Sequence, residues 1–161
     1  MKRVVLFGLM LMMSCAFLCS CNKKDYKMVT HDPDLYCKAM HELNYVIIYD
    51  IFTPPVASRI FAYSNLAAYE VLAKDGTHYG SLQGKIKSLS SIPSPAKPDK
   101  IDFPFASIVA MTKVGRQLTF SEDRMDALID SIKNLARNTN MTKEMFDSSV
   151  SYGSAVADSI L

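Results

Sequence analysis

The sequence predicts an all-α protein, a bundle of about five helices, and three observations support this fold class. Apolar residues recur at helical spacing in five segments after residue 32. A capping Asp, Thr or Ser, followed by proline or an acidic residue, precedes most of these segments, as is typical of helix starts. No long run of alternating apolar and polar residues indicates a strand.

Length and charge limit the classes of protein to be considered. The 161 residues suit one domain, and 49% hydrophobic residues are enough to form a core. The formal net charge is +2, but Lys2 and Arg3 are the only charges before residue 22. Without them, 18 − 2 = 16 basic residues balance 16 acidic residues. A neutral body does not favour nucleic acid as a partner, because phosphate binding requires a basic patch.

The first 20 residues predict an export signal. Lys2 and Arg3 precede an apolar run over residues 4–18, which ends in "LCSC", residues 18–21. This ending resembles the lipobox of bacterial lipoproteins. The resemblance implies cleavage before Cys21, acylation of the Cys21 thiol, and an exported protein anchored in membrane lipid at the periplasmic face or the cell surface. A plain N-terminal membrane anchor is the alternative.

The residues after the signal predict a flexible tether, and the cysteines agree with export. Residues 21–32 are polar and charged, and the helical domain is expected over residues 33–161. Two of the four cysteines leave with the signal and Cys21 is acylated, so Cys37 has no partner for an internal disulfide. We expect Cys37 to be a buried thiol. A nucleophile–base pair with His41, four residues later, is the alternative.

The first two helices are predicted over residues 34–51 and 55–73. Asp32 or Asp34 caps the first helix beside Pro33, and Thr53 precedes a proline pair at the start of the second. Gly76 marks the end of the second helix. The proline-rich loop near residues 90–100 excludes a helix interior there. We interpret it as a surface loop within one domain rather than a domain boundary.

Three more helices are predicted after this loop. The third covers residues 103–118, the fourth begins after Ser121, and the fifth begins at Thr142. Ser149, Gly153 and Ala157 lie four residues apart and form a smooth stripe for close helix contact. The fifth helix shows no stop signal before residue 161. We therefore expect the bundle to be the incomplete N-terminal part of a larger helical fold.

Two stretches carry a family resemblance. "DIFTPPVASRIFAYSNLAAYEVLA" and "LTFSEDRMDALIDSI" resemble the N-terminal helical part of bacterial proteins of the vanadium-dependent haloperoxidase group, within the type 2 phosphatidic acid phosphatase superfamily. The resemblance implies an all-helical fold in which a larger bundle, including C-terminal helices missing here, holds phosphate or vanadate. It implies either halide oxidation by peroxide or phosphoester hydrolysis, and the chain does not distinguish these reactions.

The catalytic blocks of that family are absent from the chain. The family requires a Lys followed by Arg-Pro, then Pro-Ser-Gly-His, and then Ser-Arg, five residues, His, three residues and Asp. Ser58 and Arg59 reproduce only the start of the last block, because Asn65 stands in place of His and Tyr69 in place of Asp. Asn cannot act as the nucleophile or the vanadium ligand, so no catalytic residue is assigned and the chain alone is predicted to be inactive.

Arg59 remains the most conspicuous charge, since it lies in an almost wholly apolar helix. We expect that helix to be central and Arg59 to form a structural ion pair with Asp50 or with a carboxylate of another helix. An exposed arginine and an anion site are the alternatives. The three histidines, His31, His41 and His78, show no metal-ligand spacing. The alternative function for the whole chain is a complete, non-enzymatic binding or scaffolding lipoprotein.

Overall fold

The computed structural model describes residues 23–77, 79–89 and 91–161, and its regular structure is helical. The α-helices are α1 (Lys27–Thr30), α2 (Pro33–Tyr49), α3 (Pro54–Ala73), α4 (Phe103–Leu118), α5 (Glu122–Arg137) and α6 (Lys143–Ile160), with a 3₁₀ turn at Pro98–Lys100. The predicted all-α class is confirmed. No helix within these ranges is both long enough and apolar enough to cross a membrane.

Local sequence signals explain where the long helices begin. The side chains of Asp32, Asp102 and Thr142 accept hydrogen bonds from the first backbone amides of α2, α4 and α6. These bonds satisfy donors that would otherwise lack a partner in the first turn. Thr53 and Ser121 occupy the same position before α3 and α5, but their side chains make no capping bond. The Ser121 hydroxyl instead donates to Asp50.

Helix α4 is the centre of the bundle, which differs from the expectation that α3 would be central. It packs most extensively against α3 and α6 and also contacts α2 and α5. Almost every residue between Phe105 and Gly115 is buried. A helix that is apolar on all sides is typically enclosed by others. In α3, by contrast, the buried positions concentrate on one side, around Ile60, Ala67 and Val71.

The small-residue stripe of α6 makes the close contact that the sequence predicts. Ser149 and Ala157 are fully buried, and Gly153 lies between them against α4. A Cβ atom added to Gly153 would lie 2.3 Å from the backbone oxygen of Ala106. This distance leaves no space for a side chain. The absence of a side chain at Gly153 therefore fixes the separation between α4 and α6.

Residues 23–32 dock onto the bundle, whereas the sequence predicted a flexible tether over residues 21–32. The Lys24 carbonyl accepts from the amide of Asn140 at 3.0 Å, and the Tyr26 amide donates to Asn140 Oδ1 at 2.7 Å. Thr30 is buried, and His31 Nε2 lies 2.7 Å from Asp102 Oδ2. Polar composition suggested a solvated tether, but these polar groups find partners on the α5–α6 loop and at the start of α4.

The long connection between α3 and α4 is held down by a buried carboxylate. Glu70, near the end of α3, is fully buried and accepts from the Ser81 hydroxyl at 2.6 Å and the Leu82 amide at 2.7 Å. Leu89 and Ile92 from the same loop enter the core. Residues 91–97 form no helix or strand, and most of their side chains are at least partly exposed. That this loop lies within one domain stays a prediction.

Candidate functional site

Arg59 lies on the exposed side of α3 and forms no ion pair with the residues that the structure describes. This differs from the expected buried pair. Ile60, the next residue, belongs to the core stripe of α3, and consecutive helical residues point about 100° apart. Arg59 therefore points away from the core. The apolar residues around Arg59 in the sequence suggested that its side chain is buried. Its exposure is instead determined by the side of α3 on which it lies.

The carboxylate proposed as a partner for Arg59 has another role. Asp50 Oδ2 accepts from the amides of Phe120 at 2.7 Å and Ser121 at 3.1 Å, and its Oδ1 accepts from the Ser121 hydroxyl at 2.5 Å. Although burial opposes the charged form, these hydrogen bonds lower the pKa of Asp50 below its ordinary value. Asp50 thus fastens the α4–α5 loop to the end of α2.

The incomplete catalytic block on α3 consists of residues with structural roles. The Ser58 hydroxyl donates to the Pro55 carbonyl at 2.9 Å. Asn65 accepts from the Tyr36 hydroxyl at 2.8 Å, and the Tyr69 hydroxyl donates to the Gly80 carbonyl at 2.9 Å. These contacts secure α2 and the α3–α4 loop against α3. The arrangement gathers no hydrogen-bond donors around a common anion position.

Cys37 and His41 do not form a catalytic pair. Cys37 is exposed, which corrects the expectation of a buried thiol, because it lies on the side of α2 opposite the core residues Leu43 and Val46. The His41 ring packs edge-on against Tyr45, with centroids 4.6 Å apart. The predicted acylation site, Cys21, lies outside the described residues, as does His78.

The described residues do not fit a vanadate or metal site. Within the described ranges, no group of three or more His, Cys, Asp and Glu side chains could hold a metal ion. Vanadate requires cationic and amide donors that converge on a tetrahedral oxyanion. Arg59 is exposed and its neighbours Ser58 and Asn65 are engaged elsewhere. No chemical step through vanadate is therefore assigned to these residues.

The structure brings together a polar cluster that sequence reasoning did not identify. Asp102 is buried and contacts His31 through Oδ2, while its Oδ1 accepts from the amide of Phe105 at 2.8 Å. The backbone amide of Asp102 donates to Ser149 Oγ at 2.9 Å. Because Ser149 contacts only the backbone of Asp102, the three side chains do not form a proton relay. The contacts of His31, Asp102 and Ser149 instead hold the N-terminal segment and α6 against the start of α4. The only sequence signal was an Asp before a Phe-Pro helix start.

An open cavity of about 510 Å³ lies between parts of α2 and α5. Its floor is apolar and includes Leu35, Ala39, Leu128 and Ile132, and its polar lining includes Lys38, Glu42 and Arg124. The Arg124 guanidinium carbon lies 3.9 Å from the centroid of the Tyr49 ring. This groove can bind apolar or amphipathic groups, but its lining contains no nucleophile with an adjacent base.

Comparisons with known proteins connect the fold to a vanadium-dependent enzyme. No protein-family model matches the chain, and no curated protein matches it. The crystal structure of the first bacterial vanadium-dependent iodoperoxidase superposes with a TM-score of 0.74 at 40% sequence identity. The match covers 80% of this chain and 30% of the iodoperoxidase chain. The expected resemblance to the vanadium-dependent haloperoxidases is therefore confirmed for this helical region, which spans less than a third of that enzyme.

Proposed function

We propose that this chain is the non-catalytic N-terminal helical segment of an exported, lipid-anchored protein related to the haloperoxidases. The observation that carries the proposal is the likeness to the iodoperoxidase, 40% identity over 80% of this chain. The catalytic blocks expected from the family are absent from the 161 residues. The residues that hold the oxyanion would then belong to chain beyond Leu161, and these helices would supply the framework against which that part packs.

The whole protein would use an anion pocket for one of two reactions. Vanadate, when bound in such a pocket, supplies the chemistry for halide oxidation by peroxide, whereas the same pocket with phosphoester substrates would support hydrolysis. The iodoperoxidase likeness favours the first reaction. The described residues contribute helix packing and the fastening of loops, through contacts such as those of Asp50 and Glu70.

An apolar surface on α2 supports the presence of further packed chain. The core side of α2 carries Ala39, Leu43, Val46 and Ile47. The opposite side begins with polar residues such as Lys38 but continues with Tyr45, Ile48 and Tyr49, which are 54%, 62% and 61% exposed. Beyond the helix, Ile51 and Phe120 are 86% and 78% exposed. We name these five residues, Tyr45, Ile48, Tyr49, Ile51 and Phe120, the outer patch.

The outer patch is unusual for a surface in contact with water. Ile51 adopts a backbone φ of 57°, a conformation that β-branched residues rarely adopt and that costs on the order of 1–2 kcal/mol. Phe120 stacks on Phe52, with ring centroids 4.8 Å apart. A helix that is apolar on two opposite sides is typically enclosed on both. Further helices of the same protein would cover the patch.

The coding DNA beyond the codon for Leu161 tests the proposal directly. We expect an open reading frame that contains Arg-Pro, Pro-Ser-Gly-His and Ser-Arg followed five residues later by His. A purified product of that frame should bind vanadate, measured by isothermal titration calorimetry. A stop codon with no such blocks in any frame would contradict the proposal and would favour the alternative of a binding lipoprotein that uses the groove between α2 and α5.

Thiol labelling tests whether further chain covers the outer patch. In a Cys37→Ser background, the thiol introduced by Ile48→Cys should react with maleimide at least about tenfold more slowly in the longer gene product than in the 161-residue chain, because burial allows reaction only during local opening. Lys38→Cys, on the polar half of the same helix side, is the matched control and should react equally in both. Equal labelling rates of the Ile48→Cys variant in the two chains would show that the patch stays exposed.

A further inference from the structure

A cluster of basic side chains surrounds the point where the described chain begins. Lys23, Arg137 and Lys143 line an open cavity of about 520 Å³, together with Met141, Phe146 and Asp147. Lys143 pairs with Asp147, and the Arg137 guanidinium carbon lies 4.7 Å from the centroid of the Phe146 ring. The cavity thus presents three cations, one carboxylate and an apolar floor.

Backbone contacts hold the first of these cations beside the others. Lys24, the neighbour of Lys23, accepts through its carbonyl from the amide of Asn140, and Tyr26 donates to the side chain of the same residue. Asn140 belongs to the loop between Arg137 and Lys143. Lys23 therefore joins the cavity because the N-terminal segment is docked, and a freely moving tether would not keep it there.

The cavity also lies close to the proposed lipid attachment. Three residue steps separate Cys21 from Lys24. At 3.8 Å between consecutive Cα atoms, they span at most roughly 11 Å. An acyl chain on Cys21 would therefore place the bilayer surface within about this distance of the docked segment, so the body would rest against the membrane at this end.

We propose that the cavity formed by Lys23, Arg137 and Lys143 binds the phosphate headgroups of anionic phospholipids in the bilayer to which Cys21 anchors the chain. The closeness of this bilayer rests on the lipid attachment in the proposed function, whereas the cavity itself consists of described residues. Lysine and arginine near a membrane surface attract anionic lipids. Asp147 opposes this attraction, but three cations outnumber it.

Charge along α5 gives the bound protein an orientation. Glu122 and Asp123 lie at the start of this helix and Arg137 at its last residue. Fifteen residue steps along an α-helix cover roughly 22 Å. An anionic bilayer would attract the Arg137 end more than the other end, where Arg116 is already paired with Glu122 and Asp126. Helix α5 would thus point away from the membrane surface, and the outer patch would lie at the end of the bundle remote from the lipid.

Amine footprinting on the full chain tests this inference. The chain as cells make it would be reconstituted into nanodiscs of phosphatidylcholine alone or of equal parts phosphatidylcholine and phosphatidylglycerol. Acetylation of individual lysines would then be measured by mass spectrometry. We expect Lys23 and Lys143 to react at least about fivefold more slowly with phosphatidylglycerol present, since each contact near an anionic surface contributes on the order of 1 kcal/mol. Lys85 and Lys87, exposed in the α3–α4 loop, are internal controls.

The outcomes separate this inference from the proposed function. The intact mass of the mature chain reports whether Cys21 is acylated. If it is acylated and the Lys23 and Lys143 rates do not depend on phosphatidylglycerol, the headgroup site is overturned while the lipoprotein proposal stands. If it is not acylated, lipoprotein status fails, and sedimentation with phosphatidylglycerol vesicles decides the cavity. Binding that is lost in Lys23→Gln/Arg137→Gln/Lys143→Gln but kept in the control Lys74→Gln/Lys85→Gln/Lys87→Gln supports the headgroup site. Absence of binding by the wild type overturns it.

Discussion

Asp50 is the residue that connects the end of α2 with the loop before α5. Its carboxylate accepts three hydrogen bonds, two from backbone amides and one from the Ser121 hydroxyl. Hydrogen bonds to a charged acceptor contribute more than those between neutral groups. They also keep the carboxylate ionised, since the pKa of Asp50 is lowered despite the opposing effect of burial.

Substitution Asp50→Asn should lower the free energy of unfolding by about 1–2 kcal/mol at neutral pH, because the charged acceptor is lost. The folded-state pKa of Asp50 lies below its ordinary value of 3.8. The contribution is therefore fully present above that value and is lost as the pH falls below it through the folded-state pKa. Urea unfolding at neutral pH and at pH values below 3.8 measures this difference.

The wild type should approach the Asp50→Asn variant in stability as the pH decreases, because protonation removes from Asp50 the charge that the asparagine already lacks. Asp130→Asn, on the exposed side of α5, is the matched control and should change stability by less than about 0.5 kcal/mol. A stability difference for Asp50→Asn that stays constant from neutral to acidic pH would contradict the role of the ionised carboxylate.

At the scale of single elements, periodicity and capping residues predicted the helices well. The limits of α4 agree with the predicted 103–118, and α5 and α6 begin directly after the predicted Ser121 and Thr142. These signals act within one helical turn, so the sequence contains them in full. The burial of Cys37 and Arg59 depends on which side of a helix faces its neighbours. Which side faces the neighbouring helices depends on the packing of the bundle. The apolar residues that flank Cys37 and Arg59 in the sequence therefore did not predict that both side chains are exposed.

The contact between α4 and α6 depends on the missing side chain of Gly153. Gly153→Ala should lower the free energy of unfolding by about 1–3 kcal/mol, because the new Cβ meets the Ala106 backbone, which cannot rotate away. Thermal and urea unfolding would measure the loss. Gly80→Ala is the matched control, since its Cβ would meet only the end of Lys85 at 3.7 Å. Equal stability of the two variants would refute tight packing at this crossing.

The α3–α4 loop depends on the buried carboxylate of Glu70. Glu70→Gln should cost about 1–3 kcal/mol, because an amide group cannot accept both bonds that the two carboxylate oxygens accept from Ser81 and Leu82. Limited proteolysis should then cut the loop over residues 79–89 sooner. Glu42→Gln, at an exposed position of α2, is the control and should leave the cleavage rate unchanged.

A second measurement reports the Glu70 charge itself. Burial, and then the neighbouring Glu70 carboxylate, raise the pKa of Tyr152 to about 12. Removal of that charge in Glu70→Gln should lower the Tyr152 pKa, although burial keeps it above the ordinary value of 10.0. NMR titration of the tyrosine ring carbons would detect the shift. An unchanged Tyr152 pKa would show that Glu70 does not act on this ring as a charge.

At the scale of the whole molecule, the sequence predicted the fold class and the family resemblance but not the arrangement of the bundle. Helix α4, rather than α3, is central, and the predicted tether is docked in its described part. Both outcomes arise from contacts between residues far apart in the chain, such as Tyr26 with Asn140 and His31 with Asp102. Local sequence patterns cannot predict contacts between residues that are so far apart in the chain. The basic cavity could not be predicted from the sequence for the same reason, because Lys23 lies far from Arg137 and Lys143 in the chain.

The docked N-terminal segment has a consequence for how long the protein would stay on the cell. Proteases cleave exposed, extended chain, and they rarely cut residues held by hydrogen bonds and burial. Residues 24–31 are held by Asn140, Thr139 and Asp102, and under the proposed lipid attachment at Cys21 this held segment would make up most of the chain between the lipid and the helices. Under the same proposal, proteolytic release of the intact helical body from the membrane should be slow.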